Sequence, residues 1–273
     1  MPCPICGPSA LAPLWSCGAF AFARCRSCGL VQQDPQPEPA AVAARYDEAY
    51  LRYEEERQYA FRDLELLALR DLRLAEAARP LFGRARSEGR KPRALDVGCA
   101  TGALLAALRD EGWEPQGVEI SGPLAAYGSS RHGLAIHGGT LESAAFPAAS
   151  FELVHASHLI EHLNDPASFL AEVGRVLAPD GLLVVTTPNA EGFQARLLGA
   201  QWRSAIYDHL YLFSPRTLSS LMSARGLEIG RLATWGGWAR GLSPAFVKKP
   251  LDLLAKRLGF GDVMAVLARK AVY

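Results

Sequence analysis

Two groups of residues in this chain have the types and spacing that chemistry needs. The first is a set of thiols: Cys3, Cys6, Cys25 and Cys28 form two C-x-x-C pairs with 18 residues between them, a spacing suited to a tetrahedral Zn²⁺ site. Gly7 and Gly29 follow the pairs, so the chain can turn tightly and aim backbone N–H groups at the sulfurs. Four protein ligands close such a site, which makes it structural. Cys17 lacks a partner at the two-residue spacing. The second group is "SHLIEHLND", where His158, Glu161 and His162 stand in the order H-x-x-E-H, a pattern able to hold a catalytic metal.

What must position these residues is a chain of 273 residues, 49% of them hydrophobic, enough for one large α/β domain and a small appendage. Lys and Arg total 29 against 28 Asp and Glu, a formal charge of +1. That near-neutrality disfavours nucleic acid as a partner and favours a small molecule. The first residues, "MPCPICGPSA", have no basic start and no apolar run of leader length, and no stretch elsewhere reads as a membrane span. The expected location is cytoplasmic, where thiols meet metal more readily than one another.

Three regions follow. Residues 1–34 read as a zinc-ribbon module, ended by prolines at 35, 37 and 39 that stiffen the backbone and forbid a helix. Residues 35–92 read as a linker and a helical segment covering the ligand site, with Leu64, Leu67 and Leu72 at helical intervals from Val42 to Arg79. Residues 93–273 read as alternating strands and helices. "RALDVG", "EPQGVEI", "LAIHGG", "SFELVHAS" and "GLLVVTTP" are strand-like, and "GALLAALRDEG", "GPLAAYGSSRHG" and "DPASFLAEVGRVLAP" are helical. That order implies a parallel sheet covered on both faces. Farther on come a helix capped by Ser214 with Pro215 in its first turn, a strand at "LEIGRLAT", a helical insertion near 236–260 and a closing strand at "DVMAVLARK".

Chemistry concentrates at "ALDVGCATG". A strand runs into Gly98, Ala100 and Gly102, whose small side chains let a ligand lie against the backbone at the strand's carboxyl end. About 20 residues on, Glu119 ends the next strand, placed to accept from two ribose hydroxyls. A dinucleotide would need a glycine-lined turn free of carboxylate for its pyrophosphate. Here Asp96 opens the turn, and it suits an ammonium or sulfonium instead.

At these residues the chain resembles the class I S-adenosylmethionine-dependent methyltransferases. "LDVGCATG" is similar to their first motif, "VEIS" to the acidic motif of the second strand, and "GGTLESAAFPAASFELV", "SHLIEHLNDP" and "GLLVVTTPN" to the segments that follow. The likeness runs from about Ala94 to Thr234, and "CPICG…CRSCGLVQQDPQPEPAAVAARYDEAY" resembles a subgroup that carries a zinc ribbon. The resemblance implies a Rossmann-like seven-stranded sheet, with S-adenosylmethionine held by Asp96, Gly98, Ala100 and Gly102 at its amino-acid end. It also implies Glu119 at the ribose, Ile120, Thr140 and Leu141 around the adenine, and Ser157 beside the cofactor. Many members have an acidic residue where Thr140 or Leu141 stands, so another group must meet the adenine amine.

The resemblance also accounts for H-x-x-E-H. Members typically carry E-H-L after the fourth strand, which makes Glu161 and His162 lining residues of the acceptor side and His158 a coincidental third. A metallopeptidase would need a further distant carboxylate and no adenosine site. Ubiquinone-pathway O-methyltransferases, similar here, have E-x-x-E-H and can bind a divalent ion through it; His158 replaces their first Glu. The candidate general bases are His209, His158 and His162, with His209 preferred because "WRSAIYDHLYLFSPRTL" follows the fifth strand, where acceptor loops of the family lie. The expected activity is methylation of a hydroxyl or amine on a small molecule, such as a natural product, sugar or cell-envelope precursor. The alternatives are an RNA methyltransferase gripping its substrate through the ribbon and a non-catalytic cofactor-binding adaptor. A second copy of the chain is a further candidate partner.

Overall fold

The computed structural model describes residues 2–38, 48–236, 256 and 259–271. The insertion expected near 236–260 lies almost entirely outside the described residues, as does the start of the helical segment before Glu48.

Three short strands come first: β1 (Leu11–Ser16), β2 (Ala21–Cys25) and β3 (Val31–Gln33). Helices α1 (Glu48–Asp71), α2 (Leu74–Ala77) and α3 (Arg79–Ser87) follow. The alternating part runs β4 (Arg93–Val97), α4 (Ala103–Asp110), β5 (Glu114–Glu119), α5 (Gly122–His132), β6 (Ala135–Gly138) and β7 (Phe151–Ser157). It continues through α6 (Pro166–Val176), β8 (Leu177–Pro188), α7 (Phe193–Leu198), β9 (Tyr211–Leu212), α8 (Pro215–Ser223), β10 (Leu227–Trp235) and β11 (Val263–Lys270).

Seven strands form one sheet in the order β10-β11-β8-β7-β4-β5-β6. The pairs among β4 to β8 are parallel, and β11 runs antiparallel to both its neighbours. This is the expected α/β architecture. The order reverses at β4, whose neighbours are β5 and β7, and the crevice beyond such strand ends is where open sheets bind ligands.

Alternation along the strands sorts two cores. Leu95, Val97, Val154, Ala156, Leu183 and Val185 point to one face, where Leu170 and Val173 of α6 and Leu218, Leu221 and Met222 of α8 cover them. Ala94, Leu153, Leu182, Val184 and Leu267 point to the other, under Ala68 and Leu69 of α1, Leu72 just beyond it and Leu81 of α3. Leu183 is wholly buried, and its truncation to Ala would cost about 2 to 5 kcal/mol.

Local signals fix the boundaries. Ser214 caps α8, with Pro215 in the first turn, and forms a capping box with Thr217. Asp165 caps α6 by accepting from the N–H groups of Ala167 and Ser168. One boundary differs from expectation: the helix read as continuing to Pro179 stops at Val176. Leu177 already pairs with Phe151 in the sheet, and Pro179 biases the residue before it towards extended backbone.

The small sheet has the order β1-β2-β3-β9 and is antiparallel throughout. Its fourth strand belongs to the far end of the chain, with Val31 opposite Leu212 and Gln32 opposite Tyr211. The amino-terminal segment is therefore built into the larger unit by backbone pairing. Among the described residues no helix is long and apolar enough to cross a membrane.

Candidate functional site

At the carboxyl end of β4 the chain turns through Gly98 and Ala100, both left-handed at φ 76° and 46°. Glycine adopts this freely, whereas Ala100 holds it at a cost. Its N–H donates to Glu119 Oε2 at 2.9 Å, and the Ser121 N–H donates to Oε1 at 2.8 Å. Two backbone donors thus fix a carboxylate that is only 3% exposed, and each oxygen keeps a lone pair for a further donor. Burial, with Asp96 adding to it, pushes this carboxyl above its usual range against those hydrogen bonds.

A cavity of about 1890 Å³ opens there, bordered by Gly98, Ala100, Glu119 and Ile120. Thr140, Leu141 and Ser157 border it too, and His158 and His162 form part of the same wall. Glu142, which sequence reasoning did not single out, also lines it and offers an acidic group next to Thr140 and Leu141.

Three expected residues stand elsewhere. Gly102 caps α4 behind the turn, where an added Cβ would lie 3.1 Å from Leu134 and 3.2 Å from Ile136; its smallness serves helix packing. Asp96 does not border the cavity, and its Oδ1 pairs with His155 Nδ1 at 2.7 Å in the buried layer under α1. His155 was not anticipated, because a lone histidine inside an apolar strand carries no sequence signal. His209 is the largest correction. It was expected to face the acceptor, yet it is 7% exposed, does not border the cavity and donates Nδ1–H to the Ser204 carbonyl at 2.7 Å. Pairing of the adjoining β9 with β3 draws this segment into the small sheet, and burial lowers the imidazole to about 4.

His158 takes the exposed position instead. Its side chain is 48% exposed, beside the cavity, and Nδ1 lies 3.1 Å from Glu161 Oε1. Glu161 is wholly buried, and its other oxygen accepts from Thr187 Oγ1 at 2.9 Å. Burial pushes the Glu161 carboxyl up, but the His158 hydrogen bond and the surrounding imidazoles outweigh it and hold the group at about 2. Burial likewise works against the charged form of His158, and Glu161 reverses this, leaving the imidazole above its usual value. His158 also has φ 49°, a left-handed backbone that costs a non-glycine residue energy, and its N–H donates to Thr186 O at 2.8 Å just past the end of β7.

Behind this wall Glu161, His162 and His209 bring donor atoms within 4.8 Å of one another. His162 Nδ1 donates to Asp208 O at 2.8 Å. The sequence pattern had grouped His158 with Glu161 and His162; the fold substitutes His209 for His158 in the compact cluster.

From above, α1 closes the cavity with Glu54, Gln58, Phe61 and Glu65, positions on the same face as buried Ala68 and Leu72. Burial pushes Glu54 and Glu65 up to about 7, with Glu119 adding to the first; at the second, His155 opposes the rise and Asp96 adds to it.

The four thiols of the amino-terminal segment also converge. Cys3, Cys6, Cys25 and Cys28 lie within 4.8 Å of one another, with Sγ–Sγ distances of 3.5 Å for Cys3–Cys28, Cys3–Cys6 and Cys6–Cys25. Tetrahedral thiolates at about 2.3 Å from Zn²⁺ are separated by about 3.8 Å, so the donor set fits that ion. Gly7 and Gly29 are left-handed and close the two knuckles, Gly7 through paired bonds with Cys3 and Gly29 through its N–H to Cys25 O.

Comparison with known proteins agrees with this geometry. A family model described as a methyltransferase domain matches residues 53–232. The ubiquinone biosynthesis O-methyltransferase of Cereibacter sphaeroides is 28% identical over 148 residues, which are 50% of this chain and 60% of that protein. The chain thus spans about three fifths of the length of that relative. In fold, it is similar to an S-adenosylmethionine-dependent methyltransferase from Archaeoglobus fulgidus, with TM-score 0.57, 20% identity, and 82% and 100% of the two chains covered. It is also similar to the Burkholderia thailandensis 1,6-didemethyltoxoflavin-N1-methyltransferase, solved with S-adenosylhomocysteine, with TM-score 0.51, 17% identity, and 96% and 100% covered. By its matched domain, its strand order and the turn that joins β4 to Glu119, the chain belongs to the class I S-adenosylmethionine-dependent methyltransferases.

Proposed function

We propose that this protein transfers the methyl group of S-adenosylmethionine to a hydroxyl or amine of a small molecule, with His158 as the general base. The observation that carries the reading is one cavity bordered both by the β4 turn and Glu119 and by His158. Gly98 and Ala100 leave room for the amino-acid part of the cofactor, and Glu119 has lone pairs for the ribose hydroxyls. Thr140, Leu141 and Glu142 are in reach of the adenine end. The sulfonium supplies an already activated methyl group.

What remains for the protein is to hold the acceptor in line, about 3 to 3.5 Å from the methyl carbon, and to take its proton. His158 is suited to both. With Nδ1 engaged by Glu161, Nε2 is the nitrogen left to accept, and the buried carboxylate stabilises the imidazolium that forms. O-methylation by the curated relatives supports an oxygen acceptor. Cys3, Cys6, Cys25 and Cys28 are read as ligands of one structural zinc.

The test is transfer of label from S-adenosylmethionine to components of an extract of the producing cell, with mass identification of whatever gains it. A labelled small molecule supports the reading, label in RNA moves it to the ribbon-assisted alternative, and tight S-adenosylhomocysteine binding without any labelled product favours an adaptor.

A further inference from the structure

A second cleft, of about 400 Å³, lies between the small sheet and the large domain. Its floor is the seam itself, where Val31 of β3 faces Leu212 of β9. Three arginines from three separate elements border it: Arg24 of β2, Arg196 of α7 and Arg216 of α8. Glu191 is the single carboxylate among its described lining residues. Three like charges around one small cleft repel one another, and surface arginines normally relieve this by pairing with acids. Among the described residues none of these three forms an ion pair.

Two of the guanidinia are held by groups that leave their charge uncompensated. Arg216 donates one Nη2–H to the Cys28 carbonyl at 2.7 Å, which pins it to the cysteine knuckle and leaves its other N–H groups free. Arg196 stands over the Phe260 ring at 5.1 Å, a contact made through its face that leaves the donors on its edge available. Restraint of this kind lowers the entropy lost when a ligand is gripped. Planar donors presented from several directions match the oxygens of a phosphate group better than a single carboxylate.

We propose that this cleft binds a phosphate or diphosphate group, free or as an ester on a larger molecule, through Arg24, Arg196 and Arg216. The site is separate from the methyl-transfer cavity, and α7 links the two: Gln194 borders the cavity and Arg196 the cleft.

Isothermal titration of the full chain with inorganic pyrophosphate, at low and moderate salt, tests this without reference to turnover. Arg24→Gln and Arg196→Gln should each weaken binding about tenfold, the scale of one charge-assisted contact, with S-adenosylhomocysteine affinity and Tm unchanged. Arg216 is left intact because it also braces the knuckle. Glu191→Gln should tighten binding, a gain that misfolding cannot produce. A nucleoside diphosphate run in parallel separates the sources: tighter binding than pyrophosphate assigns the site to an ester, and equal binding to the free anion. If pyrophosphate binds the wild type no better than the Arg24→Gln/Arg196→Gln double variant, or Glu191→Gln has no effect, the proposal is overturned. The methyltransferase reading would stand either way.

Discussion

His158 and Glu119 carry the sharpest expectations at the scale of single residues. The charged form of His158 is favoured by Glu161, so the neutral base accumulates only as pH rises above the usual histidine range. Turnover should therefore climb along an alkaline limb, and Glu161→Gln should move that limb towards lower pH while reducing the maximum. In His158→Ala the limb should vanish with a loss of about 10² to 10⁴ in kcat, whereas His209→Ala should leave the limb in place. A profile unchanged in His158→Ala would return the search to His162. For Glu119→Ala, calorimetry with S-adenosylhomocysteine should show binding weaker by about 1.5 to 3 kcal/mol, the scale of charge-assisted hydrogen bonds. Full affinity would remove Glu119 from the site.

Legibility differed between these residues for a physical reason. Glu119 was readable because strand, tight turn and terminal carboxylate are consecutive in sequence, and local geometry fixes what each can reach. The choice between His158 and His209 was not readable. It depends on β3 pairing with β9, a contact between segments far apart in the chain that turns His209 inward. Asp96 shows the same limit: it heads the expected turn, but which partner its carboxylate meets depends on β7 supplying His155 alongside it.

Among the elements, α1 has the clearest consequence. Its sequence announced a helix through leucines at helical intervals, but not that Glu54 and Glu65 share the face lying on the cavity. Leu64, one of the residues that signalled the helix, is 62% exposed, while Ala68, Leu69 and Leu72 face the sheet. Glu65 is a carboxyl whose value is raised to about 7 in the folded chain, whereas in the unfolded chain it ionises near about 4.3. Between those values the unfolded state gives up its proton first, so this group lowers stability increasingly as pH rises through the window. Glu65→Gln should accordingly raise Tm by a few degrees at pH 8 and leave it unchanged at pH 4. An equal gain at both values would mean that packing, and not ionisation, sets the cost.

At the scale of the whole molecule, the cysteine module and the methyl-transfer cavity are mechanically joined. Strand β3 pairs with β9, and the residues entering β9 build the acceptor wall: the Leu210 N–H donates to Glu161 O, Asp208 O accepts from His162, and Tyr211 OH donates to Asn164 O. Metal at the four thiols would hold β2 and the turn into β3 in place, so its removal should loosen this wall first. The β4 turn and Glu119 are carried by β4 and β5, next to β7 in the same sheet, and their own hydrogen bonds, from the Ala100 and Ser121 N–H groups to Glu119, involve none of these contacts. Elemental analysis should give one zinc per chain, lost when Cys3 and Cys28 are both changed to Ser. A second equivalent that disappears in His162→Ala would instead make Glu161, His162 and His209 a metal centre of their own. With a chelator strong enough to strip the thiols, turnover should collapse and the KM for the acceptor rise, while S-adenosylhomocysteine affinity shifts by less than about threefold, under 1 kcal/mol. If cofactor affinity is lost in step with turnover, the ribbon supports the fold as a whole rather than the acceptor wall. If neither changes, the β3–β9 pairing alone is sufficient to hold that wall.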